Sequence, residues 1–250
     1  MSSINQVFQK RKVLVTFITA GDPSLAATEN LIYSLEKSGA DIIELGIPFS
    51  DPLADGPVIQ ASHQRALKND VSLADVFALV AKVRKKTQIP ICFMLSYNLV
   101  LKYGVQKFYA KAVRVGVAGV IIPDLPPEEA ASGQRTVDSI FLVAPTSTDE
   151  RIRLIAEKSA GFIYLISTTG ITGKRESLSR GLSKVIGRIR RYSDLPIAVG
   201  FGISKPAQAA EACRIADGAI VGSAIVDLIA KKKFKKVSSF VASLRRAIDA

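Results

Sequence analysis

The chain has 250 residues, 48% of them hydrophobic, and a formal net charge of +12. That is enough apolar mass to bury a large core, in one barrel-sized domain or two small ones. Two cysteines without paired spacing, Cys92 and Cys213, and a single histidine, His63, argue against a disulfide framework or a metal motif. Met1-Ser-Ser-Ile-Asn-Gln lacks the charged and apolar regions of a secretory signal, and no apolar run reaches the ~20 residues of a membrane span. A cytoplasmic location is expected.

Strand-like and helix-like segments alternate along the whole sequence. Val13–Thr19 reads as the first strand, followed by a helix over Leu25–Lys37 with Asp22 and Pro23 as its start signal. Further strands are expected at Asp41–Leu45, Ile89–Leu95, Gly119–Ile122, Ile140–Ala144, Phe162–Ile166, Ile197–Gly200 and Gly218–Val221. Each is short, apolar and mostly unalternated, as in parallel strands covered on both faces. Helices are expected at Leu73–Lys86, Val105–Val115, Asp149–Lys158, Leu182–Arg191 and Pro206–Ile215, the last opened by Ser204. Glycines at 39, 116, 161 and 218 follow helices and lead into strands, and the arrangement around Pro90 and Gly119 recurs around Pro196 and Gly218. Eight such units describe a single-domain (β/α)8 barrel, residues 1–250, in preference to an open doubly wound sheet.

In a barrel of this kind the residues after each strand build the active site. Glu44 closes the second strand, and the prolines and Gly56 that follow keep the next eleven residues out of helix and central strand. This stiff loop carries Asp51 and Asp55 beyond the strand. A carboxylate ending an apolar strand is costly to desolvate without a task or a partner. Asp124 follows the fourth strand, and Tyr164 lies in the sixth. Gly170 and Gly173 lie beyond the sixth strand, Gly200 and Gly202 close the seventh, and Gly222 and Ser223 close the eighth, where Ser223 opens the final helix. Glycine-rich strand ends and a helix N-terminus suit a phosphate, whereas a lone Gly-Ser pair is more often a plain cap. With neither a strand-end Schiff-base lysine nor a metal motif in evidence, general acid–base work by carboxylates is what remains, Glu44 in the apolar setting and Asp55 in the polar one. His63 reads as part of an ordinary exposed helix. The basic runs Arg188–Arg191, Lys231–Lys236 and Arg245-Arg246 read as solvated helix faces, without the interleaved aromatics of a nucleic-acid site.

Phe17-Ile-Thr-Ala-Gly-Asp-Pro23, Glu44-Leu-Gly-Ile-Pro-Phe-Ser-Asp-Pro-Leu-Ala-Asp-Gly-Pro57, Pro123-Asp-Leu-Pro-Pro-Glu-Glu129, Thr169-Gly-Ile-Thr-Gly173, Gly200-Phe-Gly-Ile-Ser204 and Gly222-Ser-Ala-Ile-Val226 span nearly the whole chain. Together they resemble the tryptophan synthase alpha chain family. The resemblance implies a lyase that cleaves indole-3-glycerol phosphate to indole and glyceraldehyde 3-phosphate without cofactor or metal. It implies Glu44 as the general acid/base at indole C3 and Asp55 as the acid that hydrogen-bonds the indole N–H. Phe17 and Tyr164 would line the substrate site, Thr172 and Gly173 would belong to a closing loop, and Gly173, Gly202, Gly222 and Ser223 would cradle the phosphate. It also implies a pyridoxal-phosphate beta chain as partner in an alpha2beta2 assembly, faced by Pro48 and Asp51. A non-catalytic barrel that only activates a beta chain is the alternative; intact Glu44, Asp55 and Thr172-Gly173 speak against it. Three departures from the family stand out: a shortened Glu128–Ser139 segment, Thr168 where arginine is common, and Ser96 where an aromatic is common.

Overall fold

The computed structural model describes residues 2–52, 55–130, 137–167, 175–200 and 202–250, with backbone alone at 175–180. The first half runs α1 (Ser3–Phe8), β1 (Val13–Thr19), α2 (Leu25–Lys37), β2 (Ile42–Gly46), α3 (Pro57–Leu67), α4 (Leu73–Val83), β3 (Ile91–Met94), α5 (Tyr97–Tyr103), α6 (Val105–Val115) and β4 (Gly119–Ile121). The second runs β5 (Asp138–Ile140), β6 (Leu142–Val143), α7 (Asp149–Lys158), β7 (Ile163–Ile166), α8 (Arg175–Arg190), β8 (Ile197–Gly200), α9 (Pro206–Ile215), β9 (Gly218–Val221), α10 (Ser223–Ala230) and α11 (Phe234–Asp249).

All strand pairs are parallel, in the order β5-β4-β3-β2-β1-β9-β8-β7-β6. The two ends of this order, β5 and β6, are separated in the chain by Phe141 alone. They are the lower and upper halves of one barrel strand, the lower pairing with β4 and the upper with β7, so the sheet closes and the expected (β/α)8 barrel is present.

Side chains alternate between two cores because successive residues of a strand point to opposite faces. Val13, Val15, Ile42, Cys92, Ile121, Ile140, Phe162, Tyr164, Ala198 and Ile220 fill the barrel, and Ile4 of α1 plugs its N-terminal end. Leu14, Ile18, Ile43, Leu45, Phe93, Leu165, Val199 and Val221 face outward into the helix layer. This double burial is why the strands read as unbroken apolar runs. Both cysteines are free and buried.

Some local expectations are corrected. Asp22 does not cap α2; Ser24 does, its Oγ accepting from Ala27 N, while Asp22 is buried in an ion pair with Arg65 at 2.7 Å. At α9 the N-cap is Lys205, and Gln208 Oε1 accepts from the amides of both Ser204 and Lys205. Gly39, Gly116 and Gly161 take the left-handed conformation expected after a helix, whereas Gly218 is an ordinary strand residue. Ser223 opens α10, which is not the last helix; the sixteen-residue α11 follows it. Arg245 is not on a solvated face. It is buried 2.8 Å from Asp41, which also accepts from Arg11 and from the Leu14 amide, tying α11 to the N-terminal rim of the barrel. The Arg188–Arg191 run is ion-paired: Arg188 and Arg191 with Asp149, and Arg190 with Asp217.

Candidate active site

Glu44 sits on β2 in register with Phe17 of β1 and Cys92 of β3, so its side chain enters the barrel near the C-terminal mouth. It is 1% exposed, and its Oε2 has no hydrogen-bond partner among the described residues. Burial, and secondarily the charge of Asp55, push its carboxyl up to about 8. At neutral pH Glu44 therefore holds its proton.

Asp55 arrives from the other direction, on the loop between β2 and α3. Its amide donates to Pro52 O at 3.0 Å, and its carbonyl accepts from Gln60 Nε2 at 2.8 Å. Gly56 and Pro57 then start α3 at the N-cap and N1 positions. Helix α3 is tied to the end of β1 by a 2.5 Å contact between Ser62 Oγ and Thr19 Oγ1, and to the loop after it by Arg65–Asp22 and by Asn69 donating to Pro23 O. Desolvation raises the Asp55 carboxyl to about 6, below Glu44, so the two acids are in different protonation states near neutrality.

One cavity of about 330 Å³ connects the pair to the glycine strand ends; Glu44, Asp55, Phe17, Tyr164, Gly202, Gly222 and Ser223 all line it. The described members of the expected set, Pro48 and Asp51 aside, are thus gathered in one place. Tyr164 lies across the barrel and is buried, its hydroxyl held well above the usual phenol range by burial and by the nearby carboxylates. Gly200 makes room for it: a Cβ there would stand 2.5 Å from the Tyr164 hydroxyl. Gly202 has φ +77°, a left-handed turn that suits glycine, and the first amides of α10 behind Gly222 lack intrahelical partners. Thr168, Thr172 and Gly173 lie outside the described residues, as does the middle of the Glu128–Ser139 segment.

A second lobe of about 300 Å³ shares Phe17, Asp55 and Met94 with the first and continues to Phe49, Asp51, His63, Ser96 and Asp124. Asp51 is exposed at its edge, but Pro48 is buried, so its ring stiffens the segment from within. Asp124 accepts from Ser96 Oγ at 2.6 Å and from Tyr97 N at 2.9 Å, bracing the start of α5. His63, expected on an exposed helix, is buried in the wall of this lobe. Its position on a mixed polar helix carried no local signal for that. Among the described residues, no group of three or more His, Cys, Asp or Glu side chains could hold a metal, and no helix is long and apolar enough to cross a membrane.

The closed parallel barrel, with an acid pair and glycine-lined cavity at its C-terminal mouth, has the architecture of a (β/α)8-barrel enzyme. The family model for the tryptophan synthase alpha chain matches residues 4–248. The chain belongs to the tryptophan synthase alpha chain family. It is 50% identical over 250 residues to the tryptophan synthase alpha chain of Geotalea daltonii, covering 96% of this chain and 95% of that one. It is 48% identical to that of Dehalococcoides mccartyi over the full length of both. Among solved structures, tryptophan synthase subunit alpha of Legionella pneumophila superposes with a TM-score of 0.91 at 36% identity, covering 100% and 99% of the two chains. An aminoacrylate-bound tryptophan synthase of M. tuberculosis gives 0.90 at 34% identity, covering 99% and 100%. The activity is accordingly cleavage of indole-3-glycerol phosphate, a carbon–carbon lyase step of tryptophan biosynthesis.

Proposed function

We propose that Glu44 and Asp55 divide the proton work of this cleavage. Glu44, protonated at neutral pH, donates to C3 of the indole ring, and Asp55, ionised, accepts a hydrogen bond from the indole N–H as positive charge develops there. The bond from C3 to the glycerol carbon then breaks, and its electron pair returns to the ring. The Glu44 carboxylate left by the first step takes the proton of the departing carbinol, giving the aldehyde, so Glu44 ends the cycle protonated as it began. The observation that carries this reading is the buried Glu44 carboxyl, its Oε2 without a hydrogen-bond partner among the described residues, opening on the same cavity as Asp55 and the strand-end glycines.

Phe17 and Tyr164 flank the indole, while Gly202, Gly222 and Ser223 present backbone amides and a hydroxyl to the phosphate, joined by Thr172 and Gly173 from outside the described residues. A cradle built from backbone amides at a helix start needs no lysine to hold an anion. The chain works as a single barrel domain in the cytoplasm with a pyridoxal-phosphate beta chain, in an alpha2beta2 assembly. Its exposed docking point is Asp51, on the segment that Pro48 stiffens. Release of indole from indole-3-glycerol phosphate by the purified chain, with Glu44→Gln as comparison, tests the central assignment; equal turnover by the two proteins would refute it.

A further inference from the structure

Helix α3 turns the chain's one histidine into the wall of the acid cleft. His63 is 4% exposed, and its Nδ1 accepts the Phe49 amide at 3.0 Å, so Nδ1 bears no proton. The proton of the neutral ring therefore resides on Nε2. Nε2 is buried without a hydrogen-bond partner among the described residues, and it stands 3.5 Å from Asp55 Oδ2. A core histidine needs only its packing and one bond; a buried N–H left orphaned beside a carboxylate is costly. Hydrogen bonds in empty active sites are often long and tighten when substrate is in place.

The charged neighbours support a neutral donor. Asp22 approaches from the loop after β1 but is engaged by Arg65; Asp55, Asp51 and Asp124 line the same lobe as His63, and Glu44 lines the adjoining one. Despite these acids, burial pushes the imidazole down to about 4, so the ring stays uncharged where Glu44 and Asp55 titrate.

We propose that His63 is the positioning residue for Asp55: its Nε2–H donates to Oδ2, fixes the carboxylate rotamer and leaves Oδ1 for the indole N–H. This rests on Asp55 acting as the ionised partner of the indole ring. No proton is transferred; the hydrogen bond favours the charged form of Asp55.

Because His63 is the only histidine, its imidazole 15N signals are unambiguous. The ring should be the Nε2–H tautomer, and the Nε2 signal should move when 3-(indol-3-yl)propyl phosphate, which has no carbinol to cleave, is added to the wild-type chain. In Asp55→Asn that movement should be lost. His63→Asn keeps an acceptor near the Phe49 amide but is too short to place a donor at the Nε2 position. Its kcat should fall about 10- to 100-fold, the size of a hydrogen bond to a charged group, with KM little changed. The acid limb of its pH profile should move to higher pH. His63→Gln, which can restore an N–H near Nε2, should recover much of both. An Nδ1–H tautomer, or His63→Asn with wild-type kcat and acid limb, would overturn the proposal. If the variants do not fold, the wild-type and Asp55→Asn spectra decide alone. An active Asp55→Asn would instead refute the role of Asp55 itself, which separates the two failures.

Discussion

Gly46 and Phe17 lie so close across β2 and β1 that a Cβ on Gly46 would stand 2.5 Å from Cζ of the phenyl ring. The glycine two residues beyond Glu44 is thus the space that the Phe17 ring occupies, and Phe17 lines both lobes of the cleft. Gly46→Ala should push the ring out of place. Overpacking of this kind typically costs ~1–3 kcal/mol, and KM for indole-3-glycerol phosphate should rise. Steady-state kinetics with a thermal melt measures both; an unchanged KM would remove Phe17 from the substrate site.

Glu44→Gln keeps the shape of the side chain and removes its titrating proton. Turnover should fall by the ~10²–10⁴ typical of general acid–base groups, while glycerol phosphate binds as before. Single-turnover indole release together with calorimetric binding distinguishes lost chemistry from lost affinity.

The two carboxyls, at about 6 for Asp55 and about 8 for Glu44, set the pH profile. With Asp55 required ionised and Glu44 required protonated, kcat/KM should be bell-shaped, falling below about 6 and above about 8. In Asp55→Asn the residual activity should lose its acid limb and keep its alkaline one. An acid limb that survives the substitution would assign it to another group.

Stability carries the same signature. Glu44 takes up its proton more readily in the folded chain than in the unfolded one, so its effect is complete below the ordinary value of 4.5 and is lost as pH rises through about 8. Wild type should therefore lose stability relative to Glu44→Gln across that window, by at most ~1.4 kcal/mol per pH unit. At ~2–4 °C per kcal/mol for a chain of this size, the gap in Tm should widen by up to about 3–6 °C per unit. A gap that stays flat from pH 5 to 8 would mean that Glu44 is not desolvated.

At Gly222 the backbone is open to an L side chain, with φ −120°, but a Cβ would press to 3.3 Å on Cβ of Phe17. Gly222→Val would crowd Phe17 and Ile59 at the start of α10. Binding of glycerol phosphate should weaken in a titration, and unchanged affinity would place the phosphate elsewhere on the mouth.

Most of the barrel was legible in the sequence. Val13–Thr19, Ile197–Gly200, Gly218–Val221, Leu25–Lys37, Val105–Val115, Asp149–Lys158 and Pro206–Ile215 fall where the sequence places them. Their signals are local: runs buried on both faces, helical periodicity, and breakers at the ends. The fifth strand was harder because its two halves pair with different neighbours on either side of Phe141, and pairing is not written in local composition.

Glu44 and Asp55 were also legible, since a rigid proline-rich loop after an acidic strand end is a local feature. What the sequence determined by itself is the order of strands and helices and which acids stand at strand ends. Tertiary structure alone decided which polar groups are buried and what they meet. Asp22 meets Arg65 across 43 residues, and Arg245 meets Asp41 across 204. His63 is enclosed by Phe49 and Asp55. Desolvation and charge act through space, so the separation of Glu44 from Asp55 in acidity, and the neutral ring beside them, arise only when the closed barrel brings these segments together.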